Sequence, residues 1–103
     1  FQFSTYSTAY IDTPEEYAFF PGLISEFSDA DLASLVAPRP LFIESGALDT
    51  AAYFKDSFIE YTRTRDIYRR LGAAERAEFG LFRGLHLIHG SQAFAFLDRC
   101  LAP

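Results

Sequence analysis

The feature that most constrains the fold of this chain is the alternation of short apolar runs with longer helical patterns. Residues 41–43 form a continuous apolar run, and residues 77–84 (AEFGLFRG) form a second strand-like segment. Between them, residues 52–71 carry apolar side chains at three- and four-residue steps and are followed by Gly72, which is typical of a helix C-terminus. Strands that alternate with helices predict an α/β fold, in which helices cover a parallel sheet.

Shorter elements complete the predicted α/β domain. The opening segment FQFSTY fits a strand, and Thr13 followed by Pro14 is typical of a helix start. Residues 28–36 fit a short helix capped by Ser28, and residues 91–101 fit a closing helix. The sequence therefore predicts three parallel strands with flanking helices. The expected apolar faces are Leu32, Leu35 and Val36 in the short helix, Phe54, Phe58, Tyr61, Tyr68 and Leu71 in the long helix, and Phe94, Leu97 and Leu101 in the last helix.

Residues 1–103 are predicted to form a single partial domain. Half of the chain is hydrophobic and 17% is aromatic, which is too apolar for a disordered protein. The chain contains no Met and opens on Phe1, and three parallel strands with an open edge would make an incomplete sheet. We therefore expect the N-terminal remainder of the same protein to complete the sheet.

The charge pattern argues against nucleic acid and membrane partners. The formal net charge is −5, and the densest basic stretch, RTRDIYRR, is interrupted by Asp66, so it is typical of the solvated face of a helix. No apolar run approaches the roughly 18 residues of a membrane span. The single cysteine, Cys100, excludes an internal disulfide and is expected to be a buried core thiol, because it lies in an apolar helical pattern.

Two polar residues stand where parallel sheets gather functional groups, just past the carboxyl ends of strands. Asp49 follows the first predicted strand of the pair, and His86 follows the second, with one long helix between them. A right-handed crossover places two such strands side by side, so we expect hydrogen-bond contact between the two side chains. An acid that orients a histidine forms two thirds of a nucleophilic triad, and the chain order Ser, Asp/Glu, His is that of parallel-sheet hydrolases.

The serine of such a triad is not found in this chain. The nucleophile motif G-x-S-x-G has no match among the 103 residues. Ser45 and Ser91 do not lie on a strand-to-helix turn of the required kind. The triad interpretation therefore requires a serine upstream of Phe1.

Other interpretations of the polar residues remain open at this point. His86 is alternatively a loop histidine without a role, and Asp49 a turn residue. Glu44 is the rival acid, which we expect to be a buried, hydrogen-bonded group that shapes the loop. His89 with His86 makes a weak metal site, so we expect His89 to support the loop or cap the last helix, and we expect no metal. Arg39, between two prolines, is expected to be structural.

Four segments of the chain resemble the C-terminal part of α/β-hydrolase esterases. They are DLASLVAPRPLFIESGALD, IYRRLGA, FRGLHLIHG and AFAFLDRCL, and the resemblance covers residues 21–101. The branch that they resemble is the acetylxylan-esterase-like and dienelactone-hydrolase-like group. The resemblance implies that Asp49 is the triad acid and His86 the triad base. It also implies that the chain starts near the sixth strand of an eight-stranded sheet.

The function that the resemblance implies is hydrolysis of a small carboxylic ester, such as an acetylated sugar, without a cofactor. The expected partners are a small-molecule ester substrate and the N-terminal remainder, which would hold the serine and the oxyanion hole. The chain departs from the family pattern at Thr50-Ala51, at Leu85 before His86, and in the segment PEEYAFF. These departures concern substrate preference more than fold. A truncated or degenerate non-catalytic domain and a serine peptidase of the same fold stay as alternatives.

Overall fold

The computed structural model describes residues 26–50 and 52–103, which fold as a mixed α/β domain around a two-stranded parallel sheet. The predicted strand and helix start within residues 1–25 lie outside the described residues. The elements in chain order are helix α1 (Asp29–Ala33) with a following 3₁₀ turn (Ser34–Val36), strand β1 (Leu41–Gly46), helix α2 (Phe54–Arg70), a second 3₁₀ turn (Ala74–Arg76), strand β2 (Ala77–Phe82) and helix α3 (Ser91–Leu101).

Strands β1 and β2 confirm the predicted parallel pair joined by a helical crossover. They run in register from Leu41 opposite Ala77 to Gly46 opposite Phe82. Every residue of β1 is buried, as expected for a parallel strand covered on both faces. Because the strands are parallel and in register, both of their carboxyl ends lie at the same edge of the sheet.

The core on the α2 side of the sheet is small and mostly aliphatic. Its buried members are Ala33, Leu41, Ile43, Tyr68, Ala73 and Ala77. Helix α2 ends where the sequence predicts, because Gly72 adopts the left-handed conformation with φ 71° that terminates helices. On the opposite side, Phe96 of α3 packs on Phe42 with ring centroids 5.4 Å apart.

The buried face of α2 is polar except for Tyr68, the one member of the predicted apolar stripe that the helix buries. The helix buries Ser57, Glu60, Thr64 and Tyr68, whereas Phe58 is 48% exposed. At Glu60 the reason is that the helix meets the N-terminus of α1, where backbone N–H groups need acceptors. Glu60 accepts a hydrogen bond from Ala30 N at 2.8 Å. The aromatic side chains instead form a half-buried cluster, in which Phe58 and Tyr61 surround Phe79 of β2.

The apolar faces predicted for the shorter helices are also corrected. Helix α1 has the predicted Ser28 cap, but it buries Ala30 and Ala33, whereas Leu32 and Leu35 are exposed. Of the predicted apolar residues, Val36 is partly buried and packs against the core. A five-residue helix has little room for a full apolar stripe, and small residues allow close packing on α2. Helix α3 buries Phe96, and its predicted apolar residues Phe94, Leu97 and Leu101 are exposed.

Cys100 is exposed, so the prediction of a buried thiol was wrong. The residue lies one turn after Phe96, near the end of α3, where the described part of the chain provides no cover. The helical pattern placed Cys100 among apolar neighbours, but those neighbours, Leu97 and Leu101, are themselves exposed.

The arginines of the basic stretch of α2 are exposed, as predicted, although Thr64 and Tyr68 within the stretch are buried. Arg69 and Arg70 are exposed and both pair with Asp66. The hydrogen bond from Arg69 holds the pKa of the Asp66 carboxyl below its ordinary value. Among the helices that the structure describes, none has both the length and the apolar character needed to cross a lipid bilayer.

Candidate functional site

Asp49 and His86 meet at the edge of the sheet where β1 and β2 end. Asp49 lies three residues after Gly46, and His86 lies four residues after Phe82. The imidazole Nδ1 of His86 is 2.8 Å from Oδ2 of Asp49. The predicted contact between the two side chains is therefore confirmed, whereas their catalytic role stays a prediction.

The Asp49 carboxylate is buried and oriented through both of its oxygens. Its side chain is 3% exposed. Oδ1 accepts a hydrogen bond from Ala52 N at 3.0 Å, which leaves Oδ2 directed at the imidazole. The backbone N–H of Asp49 donates to Gly46 O at 3.2 Å and closes the turn after β1. Low local polarity around a buried carboxylate strengthens its hydrogen bonds.

The His86 ring has the tautomer and the exposure that proton transfer requires. A carboxylate only accepts hydrogen bonds, so the ring donates from Nδ1, and Nε2 of the neutral imidazole keeps its lone pair. The His86 side chain is 51% exposed, which leaves part of the ring accessible. An imidazole held in this way is able to take a proton from a hydroxyl group.

The segment that carries His86, residues 83–90, is called here the histidine loop. The turn after β1 binds the end of β2 and the beginning of this loop, because Ala47 N donates to Phe82 O at 2.8 Å and Leu48 N donates to Gly84 O at 2.9 Å. At Gly46 the two segments approach so closely that an added Cβ would lie 2.4 Å from Leu85 O. The turn after β1 therefore positions both the acid and the start of the histidine loop.

Glu44 binds the far end of the histidine loop. It is buried inside β1, and its two oxygens accept hydrogen bonds from His89 N at 3.0 Å and Gly90 N at 2.8 Å. The prediction of a buried, hydrogen-bonded group that shapes the loop is confirmed. Asp49, rather than Glu44, is the acid that bonds the His86 ring. The sequence indicated the burial of Glu44 through its place in an apolar run, but it did not indicate its partners.

His89 and Arg39 make contacts consistent with the structural roles predicted for them. The His89 ring stacks on Phe82 with centroids 4.9 Å apart, and its Nδ1 is 3.0 Å from Ser91 Oγ. The backbone carbonyl of Arg39 accepts the Tyr68 hydroxyl at 2.6 Å. Within residues 26–50 and 52–103, no three His, Cys, Asp or Glu side chains come together as a metal site.

A cavity beside the acid was not predicted from the sequence. Its volume is about 420 Å³, and its walls include Leu48, Asp49, Thr50 and Tyr53. Leu48 and Tyr53 are exposed. The signal for the cavity in the sequence is these two large side chains among the small and polar residues of the segment ALDTAAY. The cavity offers room for a small, partly apolar group near the Asp49 turn.

Comparison of the chain with protein-family models, with curated proteins and with solved structures gave no match. The chemistry of the site is therefore inferred from its residues and geometry.

Proposed function

We propose that this chain supplies the acid and the base of a serine hydrolase that cleaves carboxylic esters. The observation that supports this function is the 2.8 Å contact between Asp49 and His86, made by loops that follow two adjacent parallel strands. A buried acid oriented toward a half-exposed imidazole is the arrangement that general-base catalysis by a triad uses.

In the proposed reaction, the hydroxyl of a serine attacks the ester carbonyl carbon and transfers its proton to Nε2 of His86. Asp49 stabilises the imidazolium that forms. The tetrahedral intermediate collapses, the C–O bond to the alcohol breaks, and His86 delivers the proton to the leaving alcohol. His86 then takes a proton from water, and the water oxygen attacks the acyl-serine carbonyl carbon. As the acyl–O bond to serine breaks and the acid leaves, His86 returns the proton to the serine oxygen. The cycle needs no cofactor.

We place the serine outside the 103 residues, in an N-terminal remainder of the same protein. The finer fold assignment, the C-terminal portion of an α/β-hydrolase, is part of this proposal. The parallel pair, the crossover helix and the order of acid before histidine support it. A small acyl or acetyl ester, such as an acetylated sugar, is the proposed substrate on the basis of the family resemblance alone. Sequencing the coding region upstream of Phe1 tests the placement, because it should reveal G-x-S-x-G.

The catalytic roles are tested by labelling the complete protein with a serine-reactive fluorophosphonate and by measuring ester turnover. We expect labelling of the wild type and a fall in kcat of about 10⁴-fold for Asp49→Asn, because the imidazole loses its correct tautomer. Asp98→Asn, the same change at an exposed acid of α3, is the matched control and should retain activity. Labelled protein whose turnover survives Asp49→Asn would contradict the assigned roles.

A non-catalytic, degenerate hydrolase-like domain is the second candidate. The observation that favours it is the lack of G-x-S-x-G among the 103 residues. It predicts neither fluorophosphonate labelling nor turnover of esters in the complete protein. Labelling with turnover of peptides but not of esters would instead identify the serine peptidase alternative.

A further inference from the structure

We propose that Glu44 is a positioning residue for His86: its buried carboxylate fixes the far end of the histidine loop and so holds the imidazole against Asp49. This inference rests on the proposed function, in which His86 is the base. Within residues 26–50 and 52–103, the Glu44 carboxylate binds backbone N–H groups three and four residues beyond His86 and does not bind the ring itself. It therefore acts on the base through the loop.

The need for such a residue follows from the exposure of His86. The side chain is 51% exposed, so packing covers only about half of it. Three large apolar side chains of the same loop, Leu85, Leu87 and Ile88, are also exposed and give it little anchorage by burial. Apart from the stacking of His89 on Phe82, the position of the ring therefore depends on hydrogen bonds that fix the loop backbone on either side of it.

One short segment of the chain, residues 44–49, supplies these hydrogen bonds. The backbone N–H of Leu48 binds the loop near its start, at Gly84 O. The side chain of Asp49 binds the imidazole in the middle, and the side chain of Glu44 binds the end. Because Glu44 lies within the fully buried strand β1, its backbone cannot follow a moving loop. The histidine loop, the acid Asp49 and the base His86 are therefore all held in place by one rigid segment of the chain.

The Glu44 contact fixes the orientation of the loop backbone as well as its position, because it is made by two separate hydrogen bonds. Each carboxylate oxygen takes one N–H, Oε2 from His89 and Oε1 from Gly90. Gly90 is the residue before the first turn of α3, and it has no side chain that could cap this helix. A negative charge there also interacts favourably with the helix dipole. Glu44 thus joins the end of the histidine loop to α3 and to the sheet at once.

The test compares Glu44→Gln with the wild type in the complete protein. Glutamine has the same shape, but its one carbonyl oxygen accepts a single N–H while its amino group faces the second donor. We expect kcat to fall by about 10²-fold with little change in KM, the effect of a misplaced catalytic group. We also expect the low-field proton resonance of His86 Nδ1–H to broaden or move upfield. Glu44→Asp keeps the negative charge and should restore part of kcat and part of the His86 Nδ1–H resonance.

Glu75→Gln is the matched control, because Glu75 is largely exposed and its nearest approach to Arg76 is a weak, long contact of 3.7 Å. It should change neither kcat nor the His86 resonance. A folded Glu44→Gln protein with the wild-type His86 resonance and wild-type kcat overturns the inference. If the wild type hydrolyses no ester but Glu44→Gln still shifts the resonance, the positioning role stands and the proposed function fails.

Hydrogen exchange in the wild type covers the case in which Glu44→Gln does not fold. The amides of His89 and Gly90 should exchange about as slowly as that of Ala47, which donates to Phe82 O at 2.8 Å. Rapid exchange of His89 and Gly90 would show that Glu44 does not hold the loop, and it overturns the inference.

Discussion

At the scale of single residues, the site depends on buried polar groups that each have a defined partner. Asp49 binds Ala52 N and the His86 ring, and Glu44 binds two backbone N–H groups. A buried carboxylate without such partners would cost several kcal/mol, so these contacts are also a condition of folding. Close backbone approach at Gly46 is the other residue-level requirement, since it brings the two loops together.

Gly46→Ala should separate the histidine loop from the turn after β1. A Cβ at this position would lie 2.4 Å from Leu85 O and 2.6 Å from Gly84 O, which are backbone atoms that cannot move independently. We expect a loss of stability of about 1–3 kcal/mol, measured by urea unfolding, together with loss of the His86 Nδ1–H resonance. Gly72→Ala is the control, because it strains a φ of 71° but meets no atom within 4 Å. It should lower stability by about 1–2 kcal/mol and leave the resonance intact.

The Tyr68 hydroxyl should make stability decrease in alkali. Burial raises its pKa above the ordinary 10.0, against a smaller opposing effect of Arg39. Since the folded pKa is the higher one, the contribution is complete below about pH 10 and is lost as pH rises toward the folded pKa. Urea unfolding between pH 8 and pH 11 measures it, with Tyr68→Phe as reference. An equal alkaline loss in the Phe variant would show that Tyr68 is not responsible.

At the scale of elements, helix α1 is held by two acceptors at its N-terminus. Ser28 and Asp31 form a capping box on the exposed side. Glu60 of α2 accepts from Ala30 N on the buried side, and its second oxygen binds Arg63 at 2.7 Å. Loss of either acceptor leaves a backbone N–H group of α1 without a partner. Water can then bind the N–H group on the exposed side, but it cannot reach the buried N–H group of Ala30.

Glu60→Ala should therefore destabilise the protein more than Ser28→Ala. Removing an exposed cap costs about 1 kcal/mol, because water replaces the lost acceptor. Leaving the buried N–H of Ala30 unsatisfied costs about 1–3 kcal/mol, and loss of the packed side chain adds to it. Chemical denaturation measures the free energy of unfolding of both variants and shows which loses more, with Glu75→Ala as the exposed control. Equal effects would contradict the importance of the buried contact.

The elements that the structure describes were predictable from the sequence, but most of their buried faces were not. Ser28, Gly72 and the apolar run of β1 are local signals, and each marks an element as the structure has it. The Asp49–His86 contact was predictable because parallel strands place their ends together. The polar face of α2 and the exposure of Cys100 depend on which surface each helix meets, and that is a property of tertiary packing.

At the scale of the whole molecule, the described chain leaves much apolar surface uncovered. Leu35, Ile88, Phe94 and Leu101 are each more than 60% exposed, and several other large apolar side chains are partly so. Exposed apolar area of this kind favours association. The net charge of −5 opposes association by electrostatic repulsion, but dissolved salt screens this repulsion.

The isolated 103-residue chain should therefore self-associate, and more strongly at high salt. Leu101→Lys, which removes a side chain that is 78% exposed, should weaken association measured by sedimentation velocity. Ala95→Lys adds the same charge on the same helix without removing a large apolar side chain, so it should have a smaller effect. A wild-type chain that stays monomeric across protein and salt concentrations would contradict this expectation.

The measurement that tests the central claim most directly is the hydrolysis of a nitrophenyl acetate ester by the complete protein, before and after His86→Ala. If His86 is the base of a triad, the wild type turns over the ester and His86→Ala lowers kcat/KM by more than about 10³-fold. If the wild type is active and His86→Ala retains that activity, the 2.8 Å contact between Asp49 and His86 is structural and the claim is wrong.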